Sequence, residues 1–384
     1  MRTVALLGNY LPDRQQSMLR FLGLLSDMWT ARGIDVRVLA PRPTLLTALR
    51  CRNGERGLGK WIAYVDKYVL FPSRLRRQTA GLATIGPAVV HVVDHSNALY
   101  IPSKPEVPWI ATCHDLLAVR GALGEETDCP ASALGRRLQG AIVRGLGRAD
   151  AIAADSSSTM ADVERLVRAI RPQKRRTILL GLNHPYGCID TVEAHRRLRS
   201  AAGVPWDRPF VMHVGSNLPR KNKPGIVRVF ARIADRWPGN LVFCGAPLPP
   251  ELRAQAASAG VADRVFAAPS LTNEQLEAAY NCAHVLLYPS RCEGFGWPVI
   301  EAHACGCPVV CSDCTSLPEV GGDAALVHPL SDELGMADSI LRLEAVPFRA
   351  QIVLRGLKNA ARLSADRMGD AYLGLYEEVL NPVR

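Results

Sequence analysis

Two glutamates eight positions apart, Glu293 and Glu301, frame the run EGFGWPVIEAHACGCPV at residues 293–309. Carboxylates accept hydrogen bonds from pairs of vicinal hydroxyls, so sugar rings are natural partners for both. Gly294 and Gly296 fall in the loop between them, where backbone amides can approach a ligand with no side chain in the way. Pro298 is suited to the first position of a helix. An amide-lined loop with the positive end of a helix behind it suits an anion such as a diphosphate. Simpler roles compete: Glu301, expected in the first turn, could merely stabilise the helix, and Glu293 could be a solvated loop acid. A glycosidase pair would need two carboxyl groups facing one bond at about 5–9 Å, and the glycine loop leaves their separation undefined.

A second anion-binding candidate is HVGSNLPRKNKPG, again between a strand and a helix. Arg220 and Lys221, after Gly215 and Ser216, could neutralise a diphosphate leaving group, or could form an exposed basic turn. In the first half, TCHDLL places His114 and Asp115 at a strand end, where a histidine can bind a sugar hydroxyl, carry a proton or serve structure alone. HVVDHSNA offers His91, Asp94, His95 and Asn97 in the same way.

These residues need strands that end beside loops, and the hydrophobic pattern supplies them. RTVALLGNYLP, a helical stretch from QQSM to TARG, and DVRVLAP read as β-loop-α-β; AVVHVVD, WIATCHD and ADAIAADS follow as buried strands. From PFVMHVGS the pattern restarts and alternates through NLVFCGA, RVFAA, HVLLYPS, PVVCSD and AALVHP. The fold class is therefore α/β, two doubly wound Rossmann-like domains facing across a cleft between the carboxyl edges of their strands. RTILLGLNHPY and the stretch after it carry the turn residues of a junction. The expected domains are 1–200, 201–365 and a C-terminal helix, 366–384, crossing back to the first.

A chain of 384 residues with 48% hydrophobic and 21% charged content suits two packed domains rather than disorder. The net charge of +10 is uneven: residues 1–200 hold 29 Lys and Arg against 17 Asp and Glu, the remainder 17 against 19. That basic half is either a solvated face or a surface for an anionic partner, an acidic membrane or a phosphorylated acceptor. Nucleic acid is not expected, because the arginine clusters carry no interleaved aromatic residues. The eleven cysteines are scattered, and the group Cys305, Cys307, Cys311 and Cys314 straddles a helix-to-strand transition, so no metal site is expected. With no signal peptide and no apolar run long enough to span a bilayer, the reading is a cytoplasmic protein with reduced thiols, with peripheral attachment at the inner membrane face open to it.

Taken together, Glu293 through Val310, HDL at 114–116, ADAIAADS, VGS…RKN and SLPEVGGDAALV resemble the retaining GT-B glycosyltransferases of glycosyltransferase family 4, glycosyl transferases group 1. The resemblance extends over most of the chain and rests on the E-x7-E motif in its glycine- and proline-containing setting. It implies that Glu301 holds the ribose hydroxyls of a nucleotide and that Arg220 and Lys221 hold its diphosphate. Glu293 and the amides of Gly294, Phe295 and Gly296 would hold the donor sugar, with His114 near the transferred group. It also implies a front-face reaction in which the departing diphosphate helps deprotonate the acceptor, with no metal and no cofactor beyond the nucleotide diphosphate sugar. The expected reaction moves a hexose or deoxyhexose of mannose, glucose or rhamnose type to a glycan or lipid-linked acceptor in cell-surface polysaccharide or glycolipid synthesis. The sequence departs from the family pattern at two places. The loop after the first strand reads GNYLPDRQQSM with a single glycine, leaving Asn9, Gln15, Gln16 and Ser17 to meet a ligand, and Ser216 stands where many members have arginine. His95 and Asp115 complete the acceptor-side candidates. The competing readings are a phosphorylase or nucleotide-sugar epimerase on the same fold, and a nonenzymatic protein of anionic membranes.

Overall fold

The structure, a computed structural model, describes residues 2–49, 57–201 and 203–382. Strands β1 (Thr3–Leu7), β2 (Asp35–Leu39), β3 (Ala88–Val92), β4 (Trp109–Cys113), β5 (Ala151–Ala154) and β6 (Arg175–Thr177) form one parallel sheet, ordered β2-β1-β3-β4-β5-β6. Strands β7 (Phe210–Val214), β8 (Asn240–Cys244), β9 (Val265–Ala268), β10 (Val285–Tyr288), β11 (Val309–Ser312) and β12 (Leu326–His328) form a second, ordered β12-β11-β10-β7-β8-β9. Helices connect the strands, as parallel pairing requires. Central strands such as β1, β3, β4 and β8 are buried along their whole length, whereas the edge strands β2 and β12 are partly open.

Each sheet reverses its winding once. In the first, β1 has β2 on one side and β3 on the other; in the second, β7 lies between β8 and β10. The carboxyl ends at such a reversal diverge and leave a crevice, the usual ligand position in open α/β sheets.

The chain divides into one unit of Met1–Leu179 with Met368–Arg384 and another of Leu180–Arg367. The division precedes the position near 200 that turn residues suggest. Residues 180–200 go with the second unit because their polar groups are satisfied there. Glu277 accepts from the Gly187 amide at 3.0 Å and from Arg197 at 2.7 Å, and Asn281 Oδ1 accepts from the Ile189 amide at 2.9 Å. The supposed junction also contains a helix, Thr191–Leu198, capped by Asp190. At the other end, the buried hydroxyls of Tyr372 and Tyr376 lie 2.8 Å from Thr112 Oγ1 and His91 Nδ1, which fixes the C-terminal segment in the first unit. Separate apolar cores, one around Val90, Trp109 and Ile152 and one around Phe230, Leu241 and Val285, hold the two sheets. Among the described residues no helix is long and apolar enough to cross a membrane.

Candidate functional site

In the second unit the candidate residues gather at the reversal between β7 and β10. After β7 the chain makes a short turn, Pro219–Lys221, and enters the Lys223–Ile233 helix through Asn222, whose φ of 51° is left-handed. Asn222 Nδ2 donates to the Pro289 carbonyl at 3.1 Å, and the Arg291 amide donates to the Arg220 carbonyl at 2.7 Å. Those two bonds tie the β7 loop to the β10 loop and bring Lys221 onto Glu293. Lys221 Nζ donates to Glu293 Oε1 and Oε2 at 2.7 and 2.9 Å and to the Tyr288 hydroxyl at 2.7 Å. The three acceptors match the three protons of an ammonium group. With side chains only 12% and 9% exposed, the pair is a desolvated ion pair rather than a surface one. The Tyr288 phenol is held well above its ordinary value by burial and then by the Glu293 charge, so it stays neutral.

Glycine serves different ends at the two loops. The Gly215 amide is spent on the Cys244 carbonyl at 3.0 Å, and a Cβ there would stand 3.1 Å from His213 Nε2 and 3.4 Å from Lys221 Cδ. Gly215 therefore permits close packing rather than lending its own N–H to an anion. Ser216 beyond it is exposed, and Arg220 is half-buried. Gly296 has φ +102° and caps the Trp297–Ala304 helix; a Cβ would meet Leu317 Cδ2 at 2.8 Å. The helix thus begins one residue before Pro298.

That start puts Glu301 at the fifth helical position, beyond the first turn, which removes dipole stabilisation as its main role. Its carboxylate is buried and accepts from Asn183 Nδ2 at 3.0 Å and from the Tyr280 hydroxyl at 2.8 Å. Glu293, also buried, is no solvated loop acid. The loop between them is clamped from behind. The Glu293 amide donates to Thr315 Oγ1 at 2.9 Å, while Ser316 Oγ donates to the carbonyls of Glu293 and Phe295 at 3.1 and 2.8 Å. Phe295 is buried and Gly294 half-buried.

Four residues of this site carry no individual signal in the sequence: Tyr288, Tyr280, Asn183 and Thr315. Ser316 lies in the SLPEVGGDAALV segment, which gives it no role of its own. Lys223, two residues beyond Lys221, is buried with Nζ 2.7 Å from Asn217 Oδ1, and burial brings it down to about 8.

The first unit has its own polar cluster at the reversal between β1 and β3. Asn9 donates through Nδ2 to Asp94 and Gln15 and accepts through Oδ1 from Asn97 Nδ2 at 2.8 Å. Asp94 caps a short helix, His95–Tyr100, accepting from the Ser96 amide at 3.0 Å and hydroxyl at 2.7 Å. Burial alone would raise the Asp94 carboxyl; the charges of His95 and His114 and the Ser96 bonds outweigh it and hold the group below its ordinary value. His95 Nδ1 lies 3.3 Å from Asp94 Oδ1. Gln16 and Ser17 stand exposed in the first turn of the Gln16–Ala31 helix, apart from that buried network. Asp115 is used locally, accepting from the Leu117 amide at 3.1 Å.

His114 is held at both ring nitrogens, Nδ1 by Asp155 Oδ2 at 3.1 Å and Nε2 by the Val93 carbonyl at 2.9 Å. A carbonyl only accepts, so Nε2 carries a proton. A ligand hydroxyl can use this histidine as an acceptor only if the ring changes partners. Burial alone would lower His114, but Asp155 and Asp94 outweigh it and raise it, while burial lifts Asp155 to about 6. His91 is a core histidine, bonded to Thr112 and Tyr376 and lowered to about 3 by burial. Among the described residues no group of three or more His, Cys, Asp or Glu could hold a metal ion, and Cys305, Cys307, Cys311 and Cys314 are free thiols.

Residues 20–184 match the family described as Glycosyltransferase Family 4, and residues 195–352 match Glycosyl transferases group 1. A D-inositol 3-phosphate glycosyltransferase of Mycobacteroides abscessus is 30% identical over 83% of this chain and 74% of its own length. Another, from Acidothermus cellulolyticus, is 32% identical over 71% of the chain; that match spans 62% of the relative. An O-antigen chain mannosyltransferase B of Escherichia coli is 41% identical over 27% of the chain and 28% of its own length. Among solved structures, sucrose-phosphate synthase from Thermosynechococcus elongatus aligns over 98% of this chain and 99% of its own with a TM-score of 0.75 at 20% identity. Anabaena HepE, in complex with UDP and glucose, aligns over 98% and 100% with a TM-score of 0.70 at 14% identity.

Proposed function

This chain belongs to the group 1 glycosyltransferases of family 4, with their GT-B fold, and from that premise we propose that it moves a hexose or deoxyhexose from a nucleotide diphosphate sugar to a glycan or lipid-linked acceptor, with retention at the anomeric carbon. The observation that carries the reading is the Lys221–Glu293 pair at the reversal of the second sheet, with buried Glu301 on the helix behind the same glycine loop.

In this reading the second unit is the donor domain. Glu301, already oriented by Asn183 and Tyr280, takes the ribose hydroxyls with its remaining acceptor capacity. Arg220 and Lys221 meet the diphosphate, and Glu293 with the amides of Gly294, Phe295 and Gly296 meets the sugar. Glu293 holds the Lys221 ammonium in place before the donor arrives, and the diphosphate later shares it. The bond from the anomeric carbon to the diphosphate breaks with its electron pair going to the phosphate oxygen. The acceptor oxygen bonds to the same face of that carbon, and its proton passes to the departing diphosphate. Arg220 and Lys221 stabilise the charge that develops on the leaving group, so the reaction runs without a metal ion. The first unit receives the acceptor, with Asn9, Gln16, Ser17, His95 and Asp115 as candidate contacts and His114 positioned by Asp155.

The test is transfer from a panel of nucleotide sugars, with proton NMR of the product anomer and with chelator present. Glu301→Ala and Lys221→Ala are each expected to abolish transfer in a folded protein. An inverted product or loss of turnover in chelator would refute the corresponding part of the mechanism.

A further inference from the structure

The first unit carries an apolar and basic surface that the transfer chemistry does not use. A helical run extends unbroken over residues 57–80, as Gly57–Val65, a wider turn at Asp66–Leu70, and Phe71–Ala80, roughly 36 Å long at 1.5 Å per residue. Its inner side is fixed to the unit by buried Ala63, Phe71 and Leu75 and by Asp66, which accepts from the Leu45 and Leu46 amides and the Tyr10 hydroxyl. Its outer side bears Leu58, Trp61, Val65 and Val69, exposed by 74%, 60%, 37% and 62%. Their spacing of three, four and four residues makes one continuous stripe on a helix. Lys60, Arg74, Arg76 and Arg77 are exposed on the same run, and its sole acid, Asp66, is buried.

We propose that this surface docks the protein on an anionic lipid bilayer, with the Leu58–Trp61–Val65–Val69 stripe entering the headgroup layer and Lys60, Arg74, Arg76 and Arg77 meeting lipid phosphates. Charge decides the occupant: an apolar stripe flanked by cations with no exposed acid is the pattern of a helix lying in an anionic interface. An indole at the stripe's centre suits that boundary. Arg76 also lines, with Lys104 and Arg148, a cavity of about 440 Å³ where a lipid phosphate can settle. Tyr10, whose hydroxyl reaches Asp66, directly follows Asn9 of the acceptor-side cluster, so a docked bilayer lies close to that cluster. Only this last consequence rests on the transfer reading; the docking does not.

The experiment is flotation of the full chain with phosphatidylcholine vesicles, with and without phosphatidylglycerol, together with calorimetric binding of nucleoside diphosphates. The parent is expected to float with anionic vesicles alone. The triple variant Leu58→Ser, Trp61→Ser, Val69→Ser should stay at the bottom, as Trp61→Gln should in part. Arg74→Gln, Arg76→Gln and Arg77→Gln combined should weaken partitioning about a hundredfold, at roughly fivefold per cation. Val192→Ser, exposed on the second unit, should float like the parent. Nucleotide binding and thermal melting should be unchanged in all of them. Failure of the parent to float, equal flotation with neutral vesicles, stripe variants that float normally, or a stripe that instead holds a dimer by sedimentation would each overturn the proposal.

Discussion

Replacing Lys221 by methionine removes the counterion of Glu293 while keeping most of the side-chain volume. The carboxylate would then remain 9% exposed, with the Tyr288 hydroxyl no longer accepting a hydrogen bond from the ammonium. Breaking a buried pair by deleting one partner costs about 3–5 kcal/mol, because the other charge stays desolvated. The narrow opening to water at this pair favours the lower end, about 3 kcal/mol. For a unit the size of Leu180–Arg367, that is a fall of roughly 6–12 °C in melting temperature. Glu293→Gln removes the charge but keeps an acceptor and should cost less, about 2 kcal/mol. The double variant should recover to within about 1 kcal/mol of the parent, since two neutral side chains of similar shape carry no stranded charge. Guanidinium unfolding of parent, single and double variants gives the coupling directly, with about 4–5 kcal/mol expected. If the two single losses simply add in the double variant, Lys221 and Glu293 do not form a desolvated pair. Calorimetry on the same proteins should separate stability from function: the double variant is stable yet binds nucleoside diphosphate poorly, because Lys221 is gone.

Other tests address the surroundings. Burial lowers His213 to about 3 and His303 to about 4, so in the folded second unit both stay neutral while the unfolded chain protonates near 6.5. Their contribution is present above pH 6.5 and lost as pH falls below it. Each should remove about 2 kcal/mol between pH 7 and pH 5, and His213→Gln should roughly halve the combined loss in denaturant unfolding. Gly296→Ala must hold a left-handed φ and crowd Leu317, so a loss of about 1–3 kcal/mol and weaker nucleotide binding are expected; unchanged melting would contradict the cap geometry. Glu301→Gln points an amide at one of the two donors now satisfied, Asn183 or Tyr280. It should cost about 1–2 kcal/mol in unfolding, and Tyr280→Phe in that background should restore part of it.

Which parts of this molecule are legible in residue order follows from range. Strands such as Ala88–Val92 and Asn240–Cys244 are uniformly apolar and bounded by turn residues, so the alternating α/β pattern is visible locally. Gly294, Gly296 and Pro298 mark the strand-to-helix loop for the same reason, although the helix starts one residue earlier than the proline suggests. The partners are not visible because they come from elsewhere in the chain. Lys221 and Glu293 are 72 positions apart, Asn183 and Glu301 118, and nothing in either segment announces the other. Residue order therefore suggests two separate clamps where the structure holds an ion pair. The unit boundary fails similarly: residues 180–200 look like linker until Glu277 and Asn281 are seen to satisfy their amides. His114 is legible as a polar residue at a strand end, but not the engagement of both its nitrogens.

Uptake of a nucleotide diphosphate sugar at the β7–β10 reversal is best tested by calorimetric titration of the parent with a panel of nucleoside diphosphates and their sugars. Saturable binding of at least one nucleoside diphosphate is expected, lost in Lys221→Ala and in Glu301→Ala while both variants remain folded. Absence of binding across the panel, or binding that both variants retain undiminished, would contradict it.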